Sequence, residues 1–172
     1  MSDILLIQGS MNPSSRTKLV LDEFQKYLKK NSMGSEMIDL RNLKMEFCDG
    51  RETDEYSKDL QDAYFQIKNA RVVVIGMPVY CWSVSGPLKN FLDITAEAFE
   101  KKPIAIACNA GSPFAYLAAS DLMKILSFES KALPLQPIIK TSAKDFEGRE
   151  KLISPKVFEK MAELSDTISQ YL

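Results

Sequence analysis

Apolar residues fall into short continuous runs, and between the runs they recur every three or four positions. Residues 3–8 form the first run, which ends at Gly9. Residues 71–76 (Arg-Val-Val-Val-Ile-Gly) form the clearest one, and residues 103–109 form another that stops at Ala110-Gly111-Ser112. Uninterrupted apolar runs of this length suit strands of a parallel sheet that is covered on both faces. Residues 36–39 predict a brief second strand. Residues 133–139 predict a last one, which Pro134 and Pro137 push to a sheet edge.

The segments between carry helical spacing. Val20, Phe24, Tyr27 and Leu28 predict a helix over about 15–30. Tyr56, Leu60, Tyr64 and Ile67 mark a second, and residues 86–99 a third. Leu117, Leu122, Ile125 and Leu126 predict a fourth over 113–127 with all four inward. Val157, Met161, Leu164, Ile168 and Tyr171 predict the last, over 155–171. Residues 41–54 and 77–85 read as loops.

Strand and helix alternate five times, which implies an α/β three-layer sandwich around a five-stranded parallel sheet. Right-handed crossovers restrict its topology. The flavodoxin-like strand order 2-1-3-4-5 fits best, with a ligand crevice where the order reverses between strands 1 and 3. The 172 residues are expected to form one domain.

Composition narrows the function. Lys and Arg total 22 against 23 Asp and Glu, so there is no basic footprint for nucleic acid and no polybasic membrane anchor. The apolar run Ile4-Leu5-Leu6-Ile7 is too short for a signal-peptide core or a membrane span. Cys48, Cys81 and Cys108 are too few and too scattered for a disulfide framework, and the expected location is cytoplasmic. The chain contains no His, which excludes Ser-His-Asp triads, Cys-His dyads and His-ligated metals. Without a neighbouring base, none of the three thiols is assigned a redox role.

The loops after strands 1, 3 and 4 are the unusual ones, and the expected topology makes them neighbours. The first runs Gly9-Ser10-Met11-Asn12-Pro13-Ser14-Ser15-Arg16-Thr17 into a helix. A helix N-terminus offers free N–H groups and partial positive charge, to which Ser10, Ser15, Thr17 and Arg16 add hydroxyls and a cation. The loop is neither Gly-x-Gly-x-x-Gly nor a nucleotide-triphosphate loop, and it suits a terminal monophosphate. Helix capping alone would also explain Ser14 or Ser15. The second loop carries Pro78, Val79, Tyr80, Trp82 and Ser83, a polar and aromatic set that can border a flat ring. The third, Asn109-Ala110-Gly111-Ser112, is small enough for close backbone approach.

Together these segments resemble the NADPH-dependent FMN reductase family of the flavodoxin superfamily. The most specific stretch is Pro78-Val79-Tyr80 through Ser85-Gly86-Pro87-Leu88-Lys89-Asn90-Phe91-Leu92-Asp93. The resemblance implies FMN and NAD(P)H as cofactors. Ser10, Ser15, Arg16 and Thr17 would hold the FMN phosphate. Pro78, Val79, Tyr80, Trp82 and Ser83 would border the isoalloxazine, and Asn109, Ala110, Gly111 and Ser112 would close its other side. Two departures stand out: Asn12 occupies a position where many members carry Arg, and Ala110-Gly111 replaces Gly-Gly.

The implied activity is hydride transfer from a nicotinamide to FMN, with electrons passed on as reduced flavin or to a quinone-like acceptor. No protein acid or base is required, so no catalytic residue is named. The resemblance also implies a homodimer or homotetramer, and in one branch a flavin-dependent monooxygenase as partner. A flavodoxin-like electron carrier and a non-catalytic flavin-binding domain are the alternatives. A carrier is expected to be strongly acidic, and this chain is near neutral.

Overall fold

In a computed structural model, which describes residues 2–148 and 150–172, the elements in chain order are β1 (Ile4–Gln8), α1 (Arg16–Lys30), β2 (Ser35–Asp39), α2 (Lys58–Asn69), β3 (Val72–Tyr80), β4 (Ser83–Val84), α3 (Gly86–Thr95), β5 (Pro103–Asn109), α4 (Ala119–Glu129), β6 (Leu133–Pro134), β7 (Ile139–Thr141), β8 (Phe146–Glu147), β9 (Lys151–Leu152) and α5 (Pro155–Ser169). The main sheet runs β2-β1-β3-β5-β6, with β7 also on β5 and β4 folded back on β3. All pairs except β3–β4 are parallel in that sheet.

Alternation along β1 builds the layers. Leu5 and Ile7 face a core formed with α2, α3 and α4. Ile4 and Leu6 face the other core, with Val20, Phe24 and Leu28 of α1 and Val157, Met161, Leu164 and Ile168 of α5. Successive strand side chains point to opposite faces, so a strand buried on both sides must be apolar throughout. Among the described residues no helix is long and apolar enough to cross a membrane.

The order of the expected sheet is therefore present, but its strand count differs: seven strands in place of five. The expected last strand is split. Leu133 pairs with Pro103 and Ile139 with Ala107; the Leu135 N–H still donates to the Ile104 carbonyl at 2.8 Å, and residues 136–138 leave the ladder. Pro137 has no N–H to donate there. β3 also runs longer than expected: Met77 pairs with Cys108 and Pro78 with Asn109. Val79 and Tyr80 then pair with Val84 and Ser83 in a hairpin. Its two turn residues, Cys81 (φ 49) and Trp82 (φ 62), adopt the left-handed conformation that a two-residue hairpin demands. Neither residue is a turn former, so nothing local marks this hairpin.

Helix ends differ as well. The third helix stops at Thr95 and tightens into a 3-10 turn, Ala96–Phe99. The fourth begins only at Ala119, after a 3-10 turn over Ala115–Ala118. Three residues per turn rotate side chains away from the α-helical stripe, and Leu117 lies exposed rather than inward. Tyr171 follows the end of α5 and is exposed too.

The C-terminal ends of β1, β3 and β5 meet at one edge, and two glycines set how closely. The Gly9 N–H donates to the Gly76 carbonyl at 2.9 Å. A Cβ on Gly9 would stand 2.8 Å from that oxygen. A Cβ on Gly76 would stand 2.6 Å from Leu21 and 3.0 Å from Thr17. Only bare backbone at Gly76 lets the first turn of α1 rest on β3.

Candidate functional site

The loop from Gly9 to Ser15 is shaped by its own short side chains. The Ser10 N–H donates to the Gln8 side-chain oxygen, and the Asn12 N–H donates to the Ser10 hydroxyl at 3.3 Å. The Ser14 N–H donates to the Asn12 side-chain oxygen at 2.9 Å, a local turn of the kind Asn favours. Ser15 caps α1: its hydroxyl oxygen accepts from the Lys18 N–H at 3.1 Å. A capping hydroxyl still has its own proton to donate.

Capping leaves the first turn open. Among the described residues, no protein acceptor meets the N–H groups of Ser15, Arg16 and Thr17. The first turn carries no acidic residue. Orphan N–H groups and the positive end of the helix dipole thus point at unfilled space, a donor set that fits a phosphate monoester.

Two further loops meet this one. Ser10, Ser15, Arg16, Thr17, Pro78, Val79, Tyr80, Asn109, Ala110 and Gly111 line a single cleft of about 150 Å³, together with Asn12 and Ser14. Ser85 ties the second loop to the first through its hydroxyl, which donates to the Gly9 carbonyl at 3.3 Å. The Ala110 N–H donates to the Thr141 carbonyl at 3.0 Å, and the Asn109 amide donates to the Thr141 hydroxyl at 2.9 Å. These bonds anchor the third loop to β7.

Three of the expected site residues lie elsewhere. Trp82 stands exposed at the hairpin tip. The Ser83 hydroxyl donates to the Asp121 carboxylate of α4 at 2.7 Å, which holds that carboxyl below its usual range, helped by Lys124. Ser112 faces a neighbouring cavity. Arg16 contributes its backbone to the cleft, but its side chain turns away. One terminal nitrogen donates to the Gly148 carbonyl at 2.8 Å, and the guanidinium carbon lies 5.4 Å from the centre of the Phe146 ring. Its Nε is buried with no partner among the described residues.

Sequence reasoning missed a second layer behind the loop. The Gln8 amide nitrogen, fully buried, donates to the Ser10 carbonyl at 2.8 Å and to Asp39 at 3.0 Å. Asp39 ion-pairs with Arg41. Burial alone would raise the Asp39 carboxyl, but hydrogen bonds and charge from Arg41, with help from Gln8, hold it below its usual range. Asp39 in turn pushes the Arg41 guanidinium up. The signal was topological: β2 lies beside β1 in parallel, so the segment leaving β2 meets the loop leaving β1.

Comparison with known proteins gives the family and the fold. The family described as NADPH-dependent FMN reductase matches residues 2–145. An NAD(P)H-dependent FAD/FMN reductase of Geobacillus thermodenitrificans is 29% identical over 131 residues, 76% of this chain and 71% of that protein. An FMN-dependent NADPH-azoreductase of Staphylococcus aureus is 29% identical over 152 residues, 85% of this chain and 80% of that protein. Among solved structures, the apo form of the NADH:FMN oxidoreductase EmoB superposes with a TM-score of 0.81 at 20% identity, covering 100% of this chain and 90% of that one. The NAD(P)H:acceptor oxidoreductase FerB of Paracoccus denitrificans gives 0.79 at 16% identity, covering 99% and 97%. An archaeal flavodoxin gives 0.62 at 15% identity, covering 99% and 97%. Those three similarities show the flavodoxin-like fold. The match to the family over residues 2–145 shows more: this chain is a member of the NADPH-dependent FMN reductase family, oxidoreductases that work with FMN and NAD(P)H.

Proposed function

We propose that this chain binds FMN in the cleft between the β1, β3 and β5 loops and reduces it with NAD(P)H. The observation that carries the reading is the open first turn of α1, which faces the same cleft as Pro78–Tyr80 and Asn109–Gly111. FMN, when bound, supplies the hydride acceptor. The N–H groups of Ser15, Arg16 and Thr17, with the Ser10, Ser15 and Thr17 hydroxyls, hold its phosphate. Pro78, Val79 and Tyr80 border the ring on one side, and Asn109, Ala110 and Gly111 on the other. Trp82 flanks the mouth from the hairpin tip, and Ser83 fixes that hairpin to α4 through Asp121.

The chain's work is binding and orientation. Holding a nicotinamide and a flavin ring in stacking contact turns a bimolecular encounter into an oriented one. No residue has to move a proton in that step, in keeping with a chain that contains no His. Electrons leave as reduced flavin or go to a quinone-like acceptor. The azoreductase relative adds azo compounds to the acceptors worth assaying. A homodimer or homotetramer in the cytoplasm completes the proposal. Exposed Tyr80, Trp82 and Phe114 offer apolar surface near the mouth.

The test is steady-state oxidation of NADPH and NADH with and without added FMN, against quinone, azo compound and oxygen. Calorimetric titration with FMN and riboflavin runs alongside. Oxidation should require FMN, and FMN should bind tighter than riboflavin. Nicotinamide oxidation indifferent to flavin, or equal affinity for both flavins, would sink the reading.

A further inference from the structure

A larger cavity, about 720 Å³, lies beside the flavin cleft, between the β5–α4 connection, β7 and the first two turns of α5. Ala110 lines both spaces, so its backbone forms their common wall. The cavity's size is that of a site for a whole organic ligand.

Its charge is unbalanced. Lys140, Lys144, Lys156 and Lys160 line it, against Asp145 and Glu159. Asp145 is already committed: its carboxylate accepts from the Ser142 N–H at 2.8 Å and the Ser142 hydroxyl at 3.1 Å. Lys160 pairs with Glu163. Among the described residues, Lys140, Lys144 and Lys156 form no ion pair, although lysines elsewhere on the surface commonly do. Lys140 sits 3.6 Å from the centre of the Tyr116 ring. Unpaired cations gathered around one concave space repel each other and raise the local potential, and an anion relieves both effects.

A ligand that serves the cleft and also satisfies this cavity must have a flat redox ring at one end and phosphates at the other. We propose that the cavity receives the adenosine end of NADPH, and that Lys144 and Lys156 grip its 2′-phosphate and so select NADPH over NADH. The inference rests on the nicotinamide-driven reading above and assigns its specificity. Lysine is a compact point charge well suited to phosphate. A 2′-phosphate adds roughly two negative charges near neutral pH.

Both lysines are exposed, so Lys144→Gln and Lys156→Gln leave the core intact. FMN-loaded protein is titrated calorimetrically with 2′,5′-ADP, 5′-AMP and inorganic phosphate. 2′,5′-ADP should bind about tenfold tighter than 5′-AMP, roughly the effect of one charge-assisted hydrogen bond. The double variant should lose that preference, and in turnover its KM for NADPH should rise far more than its KM for NADH. Equal binding of the two nucleotides, a preference that survives both substitutions, or inorganic phosphate binding as well as 2′,5′-ADP would each overturn the assignment. If FMN still binds and NADH is still oxidised in those cases, only the lysine cavity fails. A parent protein that binds no FMN would sink the function itself.

Discussion

The Arg41 guanidinium reaches from the end of β2 to the carbonyl oxygen of Pro13, 3.2 Å away, and to that of Asn12 at 3.4 Å. Two loop carbonyls held by a cation cannot also face an anion, and the loop's N–H groups are left for that task. The cation is itself held. Arg41 ion-pairs with Asp39, which accepts from Gln8, whose amide also donates to Ser10. Three side chains outside the loop therefore reinforce the shape that its own Ser10, Asn12 and Ser15 side chains give it.

Removing that guanidinium is expected to cost both stability and phosphate affinity. Arg41→Ala strands a largely buried Asp39 carboxylate and frees the Asn12 and Pro13 carbonyls. Losing hydrogen bonds to a charged group costs about 1.5–3 kcal/mol. FMN affinity should fall about tenfold, and riboflavin affinity much less, by fluorescence titration. The pH dependence has a definite sign. The native Asp39 carboxyl lies below its ordinary value, so its contribution is complete above about pH 4 and is lost as pH falls through the depressed native value. In Arg41→Ala that depression shrinks, and urea unfolding from pH 3 to 7 should show a flatter acid limb. An unchanged limb together with unchanged FMN affinity would remove Arg41 from this role.

The parts of the fold that declared themselves in the sequence were those set by burial. Ile4 to Ile7, Val72 to Ile75 and Ile104 to Ala107 are apolar on both faces, and only a covered parallel sheet requires that. The cleft was legible for the same reason, because the topology forces the ends of β1, β3 and β5 together. What escaped was set by contacts distant in sequence or by backbone strain. Arg41 lies 28 residues from Pro13, and nothing near either residue announces the contact. Cys81 and Trp82 occupy hairpin positions that ordinarily take Gly or Asn, so local chemistry pointed to a loop. Leu117 kept helical spacing, but the chain there winds three residues per turn. Ser112 was grouped with Ala110 and Gly111 by adjacency, yet it faces the far side of their common wall.

Ser15 separates capping from ligand binding. Asp is as good an N-cap as Ser and adds a favourable charge at a helix N-terminus. Ser15→Asp should therefore fold with unchanged or slightly higher thermal stability. The same carboxylate would repel a phosphate at the open first turn. FMN affinity should drop more than about tenfold, whereas riboflavin, which lacks the phosphate, should bind nearly as before. Equal losses for the two flavins would mean that the first turn of α1 does not meet the phosphate.

The hairpin tip invites a trade between stability and use. Trp82 holds φ 62 with its side chain exposed, so its strain is not offset by burial. A left-handed non-glycine residue costs of order 1–2 kcal/mol. Trp82→Gly should relieve part of that cost and raise the urea midpoint. If Trp82 flanks the ring, the same variant should also weaken FMN binding or raise the KM for the nicotinamide. A more stable protein with unaltered kinetics would make Trp82 a surface residue only.

Cys108 offers a measure of how tightly the end of β5 is packed where it borders the lysine-lined cavity. It lies at the end of β5, 2% exposed, and burial pushes its thiol up to about 11, with Lys140 pulling weakly the other way. Cys48 and Cys81 are exposed. The thiolate is the reactive form. A thiol reagent at pH 8 should therefore modify two cysteines quickly and the third only on unfolding. The linkage sign comes from the raised value. Above the ordinary thiol value of about 8.5 the unfolded chain ionises at Cys108 while the native chain stays protonated, so this group removes stability as pH climbs toward 11. Cys108→Ala should reduce that alkaline loss in urea unfolding between about pH 8 and 11. Three thiols reacting at one rate in native protein would show that the end of β5 opens to solvent without unfolding.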